Sequence, residues 1–102
     1  LFGSAGVQTN QRMKRAVITV SGIVQGVGYR RFVEKRAAEC KLNGWVKNLE
    51  NGDVYCVVEG HDTELDQFLQ YLRKGPTFAR VTNVNVEWVH ATSEFTGFMI
   101  KY

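Results

Sequence analysis

The sequence predicts an α+β sandwich in which two helices cover one face of a mostly antiparallel sheet. Two stretches have helical periodicity, and four others alternate apolar and polar residues as strands do. Their order along the chain is strand, helix, strand, strand, helix, strand, followed by a short fifth strand at the C-terminal end. This βαββαβ order is typical of the ferredoxin-like fold, whose four main strands lie in the spatial order 4-1-3-2.

A strand and a helix form the first predicted unit. Alternating apolar residues over 16–20 predict a strand with one buried face. Apolar residues at helical spacing then predict a helix from about Tyr29 to Lys41. We expect Asn43 and Gly44 to end this helix, because they supply the left-handed conformation that helix ends prefer.

A hairpin is predicted next. Residues 44–49 and 54–58 form its strands, and the Asn-Gly pair at 51–52 is the dipeptide most typical of a hairpin turn. Cys56 alternates with valines, so we expect it in the core, in one interior with Cys40 of the first helix. The two cysteines lack metal-ligand spacing and are interpreted as buried thiols of a reducing compartment, with a disulfide between them as the alternative.

A second helix and two strands complete the predicted fold. Thr63 begins a capping box, weakened to Asp at its last position, that predicts the helix start. Gly75 and Pro76 predict its end. Alternation over 82–88 and 98–102 predicts the fourth and fifth strands. The apolar positions of the helix follow the spacing i, i+3, i+4, i+7: Leu65, Phe68, Leu69 and Leu72.

Length and composition indicate one small domain. The chain has 102 residues and a net charge of +3, with basic and acidic residues intermixed, which favours a local anion site over a nucleic-acid track. No stretch approaches the ~20 apolar residues of a membrane span, and no signal peptide is visible, so a cytoplasmic monomer is expected. Residues 1–12 are interpreted as a flexible tail or a cloning remnant before a native start at Met13, and residues 13–102 as the domain.

The stretch VSGIVQGVGYRRF, residues 20–32, is the candidate site. Three glycines within seven residues let backbone N–H groups turn inward, and the loop leads into a helix N-terminus, where an anion is favoured. Arg30 in the first helical turn adds a bidentate donor of fixed charge. The stretch predicts a small phosphate or carboxylate cradle; an ordinary glycine-rich connection with solvated Arg30 and Arg31 is the alternative.

The predicted topology brings one further side chain to this loop. In the strand order 4-1-3-2, the first and second strands run parallel on either side of the third, so their carboxyl ends share one edge of the sheet. Asn48 at the end of the second strand is then expected about 10 Å from the strand that carries the loop. Arg30 and Asn48 would leave room between them for one tetrahedral anion and a water.

Several motifs of the chain together resemble the acylphosphatase family. The likeness runs from about Arg15 to Tyr102 and is far more specific than a glycine-rich loop alone. It implies hydrolysis of small acyl phosphates to carboxylate and inorganic phosphate, with no metal or cofactor, no nucleic acid and no membrane. The motifs are GIVQGVGYR at 22–30, GWVKN at 44–48, Asn51-Gly52, Glu59-Gly60 and Gly75-Pro76.

The resemblance also implies roles for individual residues. Arg30 matches the phosphate-binding arginine of the family, and Asn48 matches the asparagine that positions the attacking water. Phosphate or sulfate is the expected product-like ligand, and Arg31 has no matching role. Ile23 stands where a basic residue is frequent, which could weaken attraction of the substrate. The loop amides implied to hold the phosphate are those of Gln25, Gly26, Val27, Gly28, Tyr29 and Arg30, with Tyr29 replacing the usual phenylalanine.

Two rival functions share this fold. RNA-recognition modules have the same element order, but they need alternating aromatic residues on the third strand, where this chain has VYCVVE at 54–59. The aromatic residues are interpreted instead as core and edge packing: Trp45, Tyr55, Trp88, Phe98 and Tyr102. A non-catalytic anion-binding or maturation module is the second rival, and the presence of both Arg30 and Asn48 favours catalysis over it.

Overall fold

A computed structural model of the chain describes residues 12–102. The predicted tail at 1–12 lies, apart from Arg12, outside the described residues. The described part contains five strands and two helices: β1 (Met13–Ile23), α1 (Tyr29–Glu39), β2 (Asn43–Asn48), β3 (Val54–His61), α2 (Asp62–Lys74), β4 (Arg80–His90) and β5 (Phe98–Ile100).

The strands form one sheet in the order β4-β1-β3-β2-β5, which confirms the predicted arrangement. β1 pairs antiparallel with both β3 and β4, and β2 pairs antiparallel with β3. β5 adds to the outer edge of β2 in parallel. β1 and β2 therefore run in the same direction on either side of β3, and their carboxyl ends lie at one edge of the sheet.

The core lies between the sheet and the two helices. The apolar stripe predicted for α2 is fully buried, as are the inward-facing residues of β1 and β3. Cys40 and Cys56 are both buried and both free, which confirms the interpretation of two buried thiols. The largest side chains of this core are Tyr29, Phe68, Ile18, Leu65 and Leu72.

The C-terminal end of α1 differs from the prediction. The helix ends at Glu39, and the left-handed residue is Lys41, with φ 58°, not Asn43 or Gly44. The N–H groups of Lys41 and Leu42 donate to carbonyls of the last helical turn at 3.1 and 2.9 Å, in the pattern of a Schellman motif. Asn43 and Gly44 are already the first residues of β2, because they pair with β3 in the sheet.

The predicted capping box of α2 is also wrong. The helix begins at Asp62, with His61 as its N-cap and no side-chain cap bond, so Thr63 lies inside the first turn. β3 runs into α2 without a loop, since His61 still has extended backbone (φ −85°, ψ 156°). Asp62 and Glu64 complement the positive end of the helix dipole instead. The helix ends before Gly75, as predicted.

Gly22 belongs to β1 and not to the predicted loop. It lies at the point where the register between β1 and β4 shifts, and its φ is +125°. A Cβ on Gly22 would lie 2.0 Å from the carbonyl oxygen of Arg80, so only glycine fits this close approach. The loop between β1 and α1 therefore spans only residues 24–28.

A buried carboxylate fixes the connection between β4 and β5. Glu59 on β3 is 1% exposed, and Arg15 on β1 donates to it through Nε at 2.8 Å. The backbone N–H groups of Thr92 and Ser93 donate to its two oxygens at 2.8 and 3.0 Å. Because this connection crosses from one edge of the sheet to the other, Glu59 helps to determine where β5 is placed.

We expect the Glu59 carboxylate to make stability depend on pH. Burial alone raises its pKa, but the donors from Thr92, Arg15 and Ser93 outweigh burial and hold the pKa below the ordinary value. A lowered folded-state pKa contributes stability that is present above about pH 4.3, the unfolded value, and is lost as the pH falls through the folded value. Glu59→Gln should lower the free energy of unfolding at pH 7 by about 1.5 to 3 kcal/mol.

Urea unfolding from pH 7 down to pH 2.5 measures this effect. The difference between wild type and Glu59→Gln should shrink below about pH 4. Glu94→Gln is the comparison variant: Glu94 also pairs with Arg15 and its pKa is also lowered, by Thr92 and Arg15, but it is exposed, so its loss of stability should be much smaller. An equal difference at every pH would contradict the assignment.

Candidate active site

A cleft of about 160 Å³ lies where β1 and β2 end, at the edge of the sheet predicted for the site. It brings together the glycine loop, the first turn of α1 and the end of β2. The two residues that the sequence singled out, Arg30 and Asn48, both line it. The full lining is Val24, Gly26, Gly28, Tyr29, Arg30, Arg31, Asn48, Ile100 and Tyr102.

Gly26 and Gly28 of the loop line this cleft together with the first residues of α1. Gly26 and Gly28 have left-handed backbone, with φ of 75° and 77°, and Gly28 is the N-cap of α1. A Cβ at either position would meet no atom within 4 Å, so the backbone conformation and not crowding favours glycine there. The first turn of α1 has no acidic residue. The helix N-terminus therefore offers unpaired N–H groups and a positive dipole end to an anion.

Arg30 supplies a fixed positive charge beside the helix N-terminus. Its Nη1 donates to the carbonyl oxygen of Lys101 at 3.3 Å, and its guanidinium lies 4.5 Å from the centre of the Tyr102 ring. Among residues 12–102 it forms no ion pair with a carboxylate. Its other N–H donors thus have no carboxylate to compete with an incoming anion.

Asn48, the last residue of β2, also lines the cleft. Its Oδ1 atom is buried and has no hydrogen-bond partner within the described part of the chain. A buried carbonyl oxygen without a partner is costly, so it marks a place where a ligand or a water is expected to donate a hydrogen bond. Asn48 therefore offers an acceptor in the same cleft as the cation of Arg30.

The side chains of the remaining predicted residues do not contribute to the cleft in the way that Arg30 and Asn48 do. The cleft lining includes neither Gln25 nor Val27. The Gln25 side chain bonds to the β2–β3 turn. Tyr29 is 1% exposed, and its hydroxyl donates to the carbonyl of Leu72 at 2.8 Å, so burial raises its pKa and only its backbone serves the cleft. Ile23 is exposed and outside the lining.

The contribution of β5 and the residues after it to the cleft was not predicted. Tyr102 is 93% exposed, so its interpretation as packing is wrong, and it stacks with Arg30. Val46 pairs with Ile100 in the parallel register, which carries the residue two positions further, Tyr102, toward the level of Asn48. The alternation over 98–102 was the only available signal, and it does not reveal the partner strand.

Two further features are absent from residues 12–102. No group of three or more His, Cys, Asp or Glu side chains within 12–102 is placed to hold a metal ion. Neither α1 nor α2 has the length and apolar character that crossing a membrane requires.

Comparisons with known proteins agree with this geometry. A family model described as Acylphosphatase matches residues 16–100. The acylphosphatase of Geotalea uraniireducens is 43% identical over 88 residues, which cover 86% of this chain and 97% of that protein. The acylphosphatase of Moorella thermoacetica is 48% identical over 87 residues, covering 85% and 92%.

A solved structure extends the likeness to three dimensions. The crystal structure of acylphosphatase from Bacillus subtilis superposes with a TM-score of 0.85 at 36% identity, covering 89% of this chain and 100% of that one. On these grounds the chain belongs to the acylphosphatase family, the hydrolases of acyl phosphates.

Proposed function

We propose that this chain hydrolyses small acyl phosphates by in-line attack of a water held by Asn48 on a phosphoryl group held by Arg30 and the amides of residues 25–30. The observation that supports the assignment is that Arg30 and Asn48 both line one cleft at the start of α1. The reaction needs no metal and no cofactor. Inorganic phosphate and sulfate bind in the same place as the transferred group.

The phosphoryl group needs charge stabilisation. In the transition state its equatorial oxygens share the negative charge, and preorganised donors there lower the barrier. The loop amides and the guanidinium of Arg30 supply such donors. The departing carboxylate is a stable anion, so no general acid is required to release it.

The water needs orientation. Asn48 Oδ1 accepts a hydrogen bond from the water and directs the water oxygen at phosphorus, opposite the bond to the carboxylate oxygen. The new O–P bond forms as that bond breaks, and the electron pair leaves with the carboxylate. Asn48 takes no proton at neutral pH, so the proton of the water passes to a phosphoryl oxygen.

We also propose that the protein works as a monomer in the cytoplasm, with residues 13–102 as its domain. The buried free thiols of Cys40 and Cys56 support a reducing compartment. Burial raises the pKa of both thiols, which keeps them protonated and unreactive.

We expect the purified chain to hydrolyse benzoyl phosphate in the presence of EDTA, with inorganic phosphate as a competitive inhibitor. The ultraviolet absorbance change of benzoyl phosphate on hydrolysis measures the rate, and initial rates at several phosphate concentrations give the inhibition type. A rate that disappears with EDTA and returns with a divalent cation would contradict the metal-independent mechanism. Phosphate binding by calorimetry without any turnover would favour the non-catalytic anion-binding module.

A further inference from the structure

We infer that the Gln25 side chain is a positioning residue, which fixes the distance between the phosphate loop and Asn48 by tying the loop to the turn that follows β2. This inference rests on the proposed function, because it concerns the water that Asn48 is proposed to hold. It differs from the role of the Gln25 backbone amide, which is proposed above to help hold the phosphoryl group.

This connection, called the Gln25 tie below, consists of two short hydrogen bonds from the Gln25 side chain to the β2–β3 turn. Nε2 of Gln25 lies 2.8 Å from the carbonyl oxygen of Leu49 and 2.8 Å from that of Asp53. Both partners are acceptors only, so the NH₂ end of the side chain must face them, and the orientation of the amide is determined. Each of its two hydrogens has one carbonyl to bond.

The two carbonyls are the ones that close the β2–β3 turn. The N–H of Leu49 donates to the Asp53 carbonyl at 2.9 Å, and the N–H of Gly52 donates to the Leu49 carbonyl at 3.2 Å. A carbonyl oxygen has two lone pairs, so each accepts one backbone hydrogen and one hydrogen from Gln25. The side chain thus completes the hydrogen bonding of the turn from outside it.

Because Leu49 lies next to Asn48 in the chain, the hydrogen bonds from Gln25 act on the position of Asn48. Leu49 follows Asn48 directly, and Asn48 is the last residue of β2, paired with Val54 of β3. Beyond that pair the bond from the N–H of Leu49 to the Asp53 carbonyl closes the turn, and the two bonds from Gln25 join this turn to the loop. Gln25 itself lies within the loop 24–28, so a single side chain connects both sides of the cleft.

The catalytic consequence follows from the geometry of in-line attack. The phosphoryl group is held on the side of the loop and the water on the side of Asn48, and a misplacement of about 1 Å between reactants costs about 10² in rate. Phosphate binding needs only the loop amides and Arg30, and none of these groups is removed together with the Gln25 side chain. Loss of the tie should therefore lower kcat and leave phosphate affinity nearly unchanged.

Gln25→Met tests this inference, because methionine has a similar length and no donor. We expect kcat for benzoyl phosphate to fall at least about tenfold, with the phosphate inhibition constant within about twofold of wild type. Gln67→Met on the exposed surface of α2 is the matched control and should have wild-type kinetics. An unchanged kcat in Gln25→Met would overturn the inference.

A double-mutant cycle separates positioning from a general structural defect. When Asn48 is already alanine, adding Gln25→Met should reduce kcat less than twofold further, because no side chain remains to be positioned. A structural defect would multiply the two losses, and that outcome would overturn the inference. Wild-type kcat in Asn48→Ala alone would instead overturn the proposed function, so the two failures are distinguishable.

Gln25→Glu gives an independent measurement if Gln25→Met does not fold. At neutral pH the carboxylate cannot donate to the two carbonyls. Because two carbonyl oxygens beside it disfavour the charged form, they raise its pKa, and on protonation it regains one donor. The ratio of its kcat to that of wild type should therefore rise as the pH is lowered from 8 to 5. A ratio that stays constant across this range would overturn the inference.

Discussion

Asn48→Ala is expected to lower kcat at least about a hundredfold while leaving the affinity for inorganic phosphate within about twofold of wild type. Oδ1 of Asn48 is a buried acceptor without a partner among residues 12–102, so its removal breaks no hydrogen bond within that part of the fold. What is lost is the orientation of the attacking water. Steady-state kinetics with benzoyl phosphate give kcat, and competitive inhibition by phosphate gives the affinity.

The control for this variant is Asn85→Ala. Asn85 is an exposed asparagine of the edge strand β4, so the same truncation there should leave both constants at wild-type values. If Asn48→Ala lost phosphate binding and kept its turnover of bound substrate, Asn48 would be a phosphate ligand and not a water-positioning residue. The two constants therefore discriminate directly between the two roles.

The fold was predictable because local pattern and topology agree in this chain. Alternation defines the strands, the apolar stripe defines α2, and the Asn-Gly pair defines the hairpin turn. The ends of the helices were not predictable in the same way. Lys41 and His61 are not residues that favour helix ends, and they serve there because β2 and β3 begin and end directly beside the helices. Tertiary context overrides local preference at such junctions.

The site was predictable for the residues that topology alone brings together. Arg30 follows the loop after β1, and Asn48 ends β2, so the shared edge of the sheet brings both to the cleft. The contacts of Gln25 and Tyr102 were not predictable, because they depend on where a turn and a fifth strand pack. Neither the bond from Gln25 to Leu49 nor the stacking of Tyr102 with Arg30 has a local sequence signature.

Arg30→Ala is expected to weaken phosphate binding about 10- to 150-fold and to lower kcat/KM by a larger factor. Hydrogen bonds to a charged group contribute about 1.5 to 3 kcal/mol each, which corresponds to that range of affinity. In the transition state the distribution of negative charge over the equatorial oxygens differs from that in bound phosphate, and a preorganised cation stabilises the transition state more strongly. The loss in kcat/KM should therefore exceed the loss in phosphate affinity. Calorimetry with phosphate measures the first loss, and benzoyl phosphate hydrolysis measures the second.

Arg31→Ala is the matched control for Arg30, because it removes the same charge from the adjacent position. Arg31 is exposed at the cleft, whereas Arg30 is held by the Lys101 carbonyl and the Tyr102 ring. If the loss came only from the change in net charge, phosphate affinity would fall equally in both variants, and the loss would become smaller with added salt. If Arg30 contacts the phosphate directly, Arg30→Ala should lose much of the phosphate affinity at low and at high salt alike. Arg31→Ala should lose little affinity, and this small loss should disappear at high salt. Arg30→Lys should recover only part of the affinity, since a lysine restores the charge without the planar fork that bonds two phosphoryl oxygens at once.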